Sequence, residues 1–385
     1  MGNTSDHDLW LKHDASVFFS EAAPKIESAF YPLYRYGNYY SFSVYRLARL
    51  VGEVELDPAF CRAISSGFND VCRPNPVAIK GIERLTGKVH FTGLERDKTR
   101  FLERLAAAMQ EDADQVEAAN PGKTNIILCG GKDSLNLLLL KWSNPVVAYS
   151  AEPNFELVRK FSVENSLGIE VRRLEDTEDP DLKQREIAEA AGQVHHGSWK
   201  WAAALRDIAE ACDQNAVFWK GQLGDIYLAP NWRFYSASRS TFYKKLRSAY
   251  RMGCQKLPAC APVADALFAK HAIRSTAHGV VARGAVLQGS HMGFLRSICD
   301  SLFVSAYHGA NVTRALRSMH LPSLSDHDLR PDLGRLLLGR DVKYPVANPG
   351  PSRTAFREDW RSIPNLVEAL QHHDIRVTNA RDVLG

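Results

Sequence analysis

The sequence predicts an α/β protein: a doubly wound, mostly parallel sheet, preceded by a small α+β unit and followed by a helical region. Three observations carry this. A short apolar run ends at Gly130-Gly131 and a helix-length apolar segment follows at once. Strand-like and helix-like stretches then alternate as far as Trp219. The flanks differ in character, aromatic-rich in front and rich in arginines and aromatics behind. Strands alternating with helices imply parallel pairing with both sheet faces covered. A chain of 385 residues, 45% hydrophobic and 24% charged, has material for a full core and for two units, divided as 1–94 and 95–385.

In the first unit, Phe30, Tyr31, Tyr34, Tyr36, Tyr39 and Tyr40 cluster, and the alternating run Tyr40 to Val44 suits a strand. From Leu94 to Glu117, apolar residues at 102, 105, 106, 109 and 116 among charges predict an amphipathic helix, which Asn120-Pro121-Gly122 breaks. Asn125 to Cys129 reads as a strand, Leu135 to Trp142 as a helix and Val146 to Ser150 as a strand. Phe155 to Ser166 is then a helix, Ile169 to Leu174 a strand, and Ala216 to Trp219 a strand beyond two helical stretches. From Asn231 to His320 the pattern is helical. Leu321 to Arg353, with Pro322, Pro331, Pro345, Pro349 and Pro351, reads as loop, and Thr354 to Gly385 as a helical pattern with a tail.

Bulk properties narrow the function. A net charge of +4 creates no field that demands a nucleic-acid partner. Cys61, Cys72, Cys129, Cys212, Cys254, Cys260 and Cys299 form no CxxC pair and are odd in number, so reduced thiols are expected. The polar, acidic start from Met1 to Asp8 lacks the pattern of a secretory signal, and no apolar run approaches the roughly 20 residues of a membrane span. The expected location is the cytoplasm, without a membrane partner.

In open α/β sheets ligands bind beyond the carboxyl ends of the strands, where Gly130-Gly131 and Gly221 to Asp225 both lie. A strand running into Gly-Gly lets backbone approach an anion without a Cβ in the way. The following helix turns its positive end toward that anion. Lys132 adds a cation, Asp133 a carboxylate for Mg²⁺, and Ser134 a hydroxyl for a phosphate oxygen. The alternative is an exposed turn capped by Asp or Ser, residues that favour helix starts anyway.

The stretch Cys129-Gly130-Gly131-Lys132-Asp133-Ser134 resembles the Ser-Gly-Gly-x-Asp-Ser signature of the PP-loop ATP pyrophosphatases. Lys220-Gly221-Gln222-Leu223-Gly224-Asp225-Ile226-Tyr227 resembles the second motif of that superfamily's asparagine synthetase and β-lactam synthetase branch. Asp57-Pro58 through Gly81 to Val89 resembles the junction between that branch's glutaminase and synthetase domains. Leu329-Arg330 and Arg340-Asp341-Val342-Lys343 resemble the region that supplies an active-site lysine.

The resemblance implies an adenine nucleotide alpha hydrolase-like fold and ATP as substrate. Asp133 and Asp225 would bind Mg²⁺, and Lys343 would stabilise charge as an acyl-adenylate is attacked. Leu128 and Ser150 would lie near adenine and ribose, with Gly221 also at the nucleotide. Leu128 has a plainer reading as strand core, and Lys343 as a surface lysine. Three positions depart from the pattern. Cys129 replaces the first serine, Gln222 stands where the branch has a glutamate or tyrosine, and Ile226 replaces the last carboxylate. An amide cannot serve as a general base at neutral pH, so Gln222 leaves the base unassigned. Gly2, where an amino-terminal nucleophile glutaminase needs cysteine, argues against glutamine hydrolysis.

The leading expectation is therefore an ATP-dependent amide-bond-forming ligase. It would adenylate a small-molecule or peptide carboxylate and transfer the acyl group to an amine, as the related lasso-peptide cyclases and β-lactam synthetases do. A homodimer is compatible with this. Two other readings stand beside it: a nucleobase-modifying enzyme acting on RNA, and a nucleotide-binding scaffold whose catalytic groups have decayed. The segment Phe234 to Arg251 interleaves Arg239, Lys244, Lys245, Arg247 and Arg251 with five aromatics. It reads more simply as a helix with a basic face than as an RNA surface. His195-His196 near Cys212 lacks metal-ligand spacing, and His372-His373 reads as an exposed helix end.

Overall fold

The computed structural model describes residues 16–24, 33–58, 60–61, 77–85, 92–175, 179–182, 184, 188, 202–212, 215–222, 224–228, 301–307, 309–324, 328–350 and 362–384. The basic segment 234–251, most of the helical stretch 231–320, and His195-His196 lie outside the described residues.

The chain begins with β1 (Phe18–Phe19), β2 (Leu33–Tyr36) and β3 (Tyr39–Ser41). The strand expected over Tyr40 to Val44 stops at Ser41, because Ser43 caps a helix: its side chain accepts the Arg46 N–H and opens α1 (Val44–Val51). β4 (Glu53–Val54) and β5 (Glu83–Leu85) follow. β1, β3, β2 and β5 form an antiparallel sheet in that order.

α2 (Lys98–Ala119) opens on Asp97, whose carboxylate accepts the Arg100 N–H, and buries Phe101, Leu102, Leu105, Met109 and Val116 along one stripe. β6 (Thr124–Leu128) leads through the two glycines into α3 (Lys132–Leu135), which tightens into a 3₁₀ turn over Asn136–Leu139. The helix expected to reach Trp142 ends there. The Leu137 carbonyl is taken by the Leu140 N–H and the Trp142 indole N–H (3.1 Å), while the Lys141 N–H donates instead to Gln110 Oε1 (2.9 Å). Side-chain hydrogen bonds have replaced the next helical rung.

β7 (Val146–Ser150), α4 (Phe155–Glu164), β8 (Glu170–Arg173), α5 (Ala202–Ala211), β9 (Ala216–Lys220), α6 (Gly224–Tyr227) and β10 (Leu302–Ser305) come next. The five long strands pair in the order β10-β9-β6-β7-β8, all parallel, so the protein is α/β with a five-stranded parallel sheet. The Gly-Gly strand is central. Trp219 sits edge-on to Trp142 (ring centroids 4.9 Å) and donates to Asn125 Oδ1 (2.9 Å), and Phe218 stacks on Phe303 at 4.5 Å. Strands built of apolar residues on both faces are what a covered parallel sheet requires.

After α7 (Ala310–Ser318), the stretch expected to be loop contains α8 (Leu321–Leu324) and α9 (Arg330–Leu338). Pro331 lies in the first turn of α9, where a missing N–H costs nothing, and Gly339 closes the helix at φ 71°. α10 (Ile363–His372), β11 (Arg376–Val377) and α11 (Ala380–Leu384) complete the chain. These carboxyl-terminal elements pack with elements of the amino-terminal segment. β11 pairs with β4, and Ile363, Leu366, Val367, Leu370 and Ile375 share a core with Tyr34, Val44, Tyr45, Leu47 and Leu56. An apolar helix face settles against whichever apolar surface lies free, whatever its distance in sequence. His373 is accordingly no simple exposed end, since its ring stacks on Tyr45 at 4.9 Å. Among the described residues no helix is long and apolar enough to cross a membrane.

Candidate functional site

The loop leaving β6 has the backbone that its glycines promised. Gly131 stands at φ +145°, a region that L side chains rarely adopt, and an added Cβ would lie 3.0 Å from the Asn348 side chain. Its amides meet oxygen acceptors supplied by the protein itself. The Gly130 N–H donates to Ser134 Oγ (3.2 Å), and the Lys132 N–H to Asn348 Oδ1 (2.9 Å). Ser134, expected to reach a phosphate, closes the turn from within: its hydroxyl donates to the Gly131 carbonyl (3.3 Å).

Residues 342–350 form a strap across this loop. Tyr344 Oη donates to the Lys132 carbonyl (2.7 Å), the Val346 carbonyl accepts from Lys132 Nζ (2.9 Å), and Asn348 receives the Lys132 amide. At the far end Asn154 Nδ2 donates to both the Gly350 carbonyl (3.0 Å) and the Gly130 carbonyl (3.1 Å), pinning strap to loop.

Beside the loop lies a charge cluster with nearly buried cations and half-buried carboxylates. Lys132, expected at the loop mouth, turns inward instead: its side chain is 8% exposed and its ammonium pairs with Asp328 Oδ2 at 3.1 Å. Arg330 grips Asp328 with two donors, Nε to Oδ1 (2.7 Å) and Nη2 to Oδ2 (2.9 Å), and reaches Asp133 Oδ1 with Nη1 (2.5 Å). Two cations and two anions thus balance. Burial raises the pKa of Asp133, and the nearby Arg330 guanidinium only partly offsets it. Burial acts on Asp328 in the same direction, but two hydrogen-bonded cations outweigh it and its pKa is lowered. Arg330 is pulled down by burial, yet its carboxylate partners leave it raised overall.

The second loop packs hard against the first. A Cβ on Gly221 would lie 2.4 Å from the Asp133 carbonyl oxygen and 2.5 Å from Ser134 Cα, and one on Gly224 would lie 2.9 Å from Asp133 Cβ. No larger residue fits at Gly221, so this glycine sets how closely the two strand ends meet. Ser305 Oγ, from the end of β10, donates to the Gln222 carbonyl (3.2 Å), and Tyr307 Oη donates to the Asp133 carbonyl (3.4 Å).

The fold therefore brings together Leu128, Cys129, Gly130, Gly131, Lys132, Asp133, Ser134, Ser150, Gly221 and Gln222. Leu128 and Cys129 are buried, and burial pushes the Cys129 thiol up to about 12, which makes it a strand-end packing residue and no nucleophile. Ser150 spends its hydroxyl on the Cys129 carbonyl (2.7 Å). The Asp225 and Ile226 side chains lie outside the described residues.

The fold does not bring Lys343 in. That residue is exposed, and Asn165 holds its backbone through two hydrogen bonds (2.9 and 3.3 Å). Asn165 follows the last residue of α4, whereas Asn154, which touches the loop, precedes the first, so about 15 Å of helix separates them. The neighbouring Tyr344 reaches the loop instead. Asn154, Asp328, Tyr344 and Asn348 escaped the sequence reading, and Arg330 entered it only within the Leu329-Arg330 resemblance, without a role of its own. An Asn at a helix start and an Asn-Pro-Gly triplet are their only local marks, and both are ordinary turn signals.

No protein-family model matches the chain and no curated protein is similar to it, so the functional reading rests on these residues.

Proposed function

We propose that the chain is an ATP-dependent, AMP-forming ligase that joins a carboxylate to an amine, with the triphosphate bound at the loop between β6 and α3. One observation carries the reading: at the carboxyl end of the central strand, a glycine at φ +145° opens a turn whose Lys132 N–H points at an oxygen acceptor. In the closed form that acceptor is the Asn348 amide oxygen. A phosphate oxygen has the same geometry and a stronger charge-assisted bond, so it competes for the same donor. Binding therefore requires the strap to lift from the loop. Lifting it frees the Lys132 amide from Asn348 and the ammonium from the Val346 carbonyl, and Lys132 and Arg330, both still paired with Asp328, are two cations beside a polyanion.

The donor set fits Mg²⁺ in a limited way. Asp133 Oδ1 is paired with Arg330, and Oδ2 has no hydrogen bond among the described residues. No three carboxylate, imidazole or thiolate groups gather among the described residues. An ion here would rest on Asp133 and on phosphate oxygens, the usual manner of magnesium at nucleotides. It would supply charge neutralisation at the leaving pyrophosphate. The protein's own part is to hold the triphosphate in line with the carboxylate and to shield the acyl-adenylate from water.

The test is pyrophosphate and AMP release from Mg·ATP with a protein-free cell extract as the source of carboxylate and amine. Wild type should yield AMP together with a product lighter by one water. Asp133→Ala should lose at least 100-fold in pyrophosphate release while keeping its fold by circular dichroism. Undiminished release by that variant refutes the site. The decayed-scaffold reading draws on the closed charge cluster and on Gln222, and ATP binding without any pyrophosphate release would establish it instead.

A further inference from the structure

The ligase reading leaves the proton acceptor unassigned. An amine that attacks an acyl-adenylate must shed a proton as its new bond forms, and Gln222 cannot take it. Among the described residues, these candidate groups at the carboxyl ends of the parallel strands are spoken for. Asp133 and Asp328 are paired with cations, Tyr344 donates to the Lys132 carbonyl, and the Cys129 thiol is buried and protonated. Glu152 is bound to Arg173 at 3.1 Å.

Lys220 is different. It is the last residue of β9, in register with Leu128 on one side and Ser305 on the other, and it directly precedes Gly221, which abuts Asp133 and Ser134. Alternation along the strands places its side chain on the sheet face shared by Leu128, Tyr149 and Ser305, opposite the face of Trp219 and Asn125. It is partly buried, and its ammonium has no hydrogen bond or ion pair among the described residues. On that face the charged or titratable side chains of the described strands are Tyr149, Glu170 and Arg172. Arg172 is bound to both of the others, so none is available to pair with Lys220.

We propose that Lys220 is the general base of the amide-forming step and takes the proton from the attacking amine. The proposal rests on the ligase reading above. The amine nitrogen bonds to the acyl carbon, and its proton passes to the lone pair of Lys220 Nζ. The bond from the acyl carbon to the phosphate oxygen breaks, and AMP leaves with that electron pair. The lysine then returns the proton to water. Burial supports the assignment, because it lowers the Lys220 pKa to about 8 and so leaves a usable fraction of free amine near neutrality.

Two measurements on the full-length protein test this. The first is competitive acylation with acetic anhydride, read at the Lys220 peptide by mass spectrometry over pH 6 to 11, with and without AMP. Expected are a midpoint about 2 units below the ordinary lysine value of ~10.4, and protection by AMP of at least ~5-fold. An ordinary midpoint, or no protection when dialysis shows AMP bound, overturns the proposal and leaves the ligase reading intact.

The second uses Lys220→Arg, which keeps the charge but stays protonated. With Mg·ATP and protein-free extract it should release about one pyrophosphate per chain. Its steady-state AMP release should then fall at least ~100-fold, the scale of general-base catalysis. AMP release equal to wild type overturns the proposal. Absence of AMP release by wild type itself overturns the ligase reading and the proposal with it.

Discussion

Two regions of the parallel-sheet unit hold an aspartate near the start of a helix, one buried and one half-buried, and they do so in opposite ways. At the junction of α2 and α7, the Asp112 carboxylate accepts from the Asn311 N–H (3.1 Å), Asn311 Nδ2 (3.0 Å) and the Val312 N–H (2.9 Å). It caps the helix from a distance of 199 residues in sequence, with backbone donors that cannot turn away. At the β6–α3 loop, Asp133 is held by one Arg330 donor on a guanidinium that Asp328 holds by two. The first aspartate takes two of its three donors from main chain. The second is held by a side chain alone, within a cluster of four charged side chains. The comparison sets a carboxylate fixed largely by backbone donors against one held only by side chains, and the proposed nucleotide site is at the second.

The sharpest way to break this comparison is at Gly309. A Cβ there would lie 1.9 Å from Asp112 Oδ2, so Gly309→Ala should cost at least ~3 kcal/mol, or prevent folding, in a denaturant titration. A loss under 1 kcal/mol would mean that the junction is loose. Asp112→Ala comes next. It strands two amides at the helix start and should cost about 2–3 kcal/mol while leaving the affinity for Mg·ATP within twofold, as measured by calorimetry at a temperature where the variant is folded. A variant that loses nucleotide affinity instead would erase the distinction between the regions.

The smallest effect sharpens the other side. Asn348→Ala removes the oxygen that competes for the Lys132 amide, and a neutral hydrogen bond of about 1 kcal/mol corresponds to ~5-fold tighter binding of Mg·ATP, with stability lowered by a similar amount. Weaker binding by this variant would show that Asn348 recruits nucleotide and does not compete with it.

Much of the molecule was legible from local pattern. The strands at Asn125, Val146, Ile169 and Ala216 announced themselves as short apolar runs, and the Gly-Gly turn at a strand end located the loop. The errors came where a local signal met a distant partner. Trp142 and Gln110 ended a helix that apolar periodicity extended, and Pro331 began a helix where proline count suggested loop. Lys132 looked like a surface cation, yet Asp328 drew it inside. Lys343 carried the expected role on paper, while Tyr344, one residue on, has the side chain that reaches the loop.

By itself, then, the sequence determined the parallel α/β order, the position of the glycine turn at the mouth of the central strand, and the closeness of the second glycine loop. These follow from periodicity and from the absence of a Cβ, properties that act within a few residues. Only the tertiary structure decided which groups occupy that turn, that the carboxyl terminus joins the first core, and that Lys220 has no ion pair among the described residues. The Lys132–Asn348 bond spans 216 residues of sequence, and no local rule carries a preference across that distance. Such contacts are selected only when the whole chain has closed and each buried polar group must find its partner.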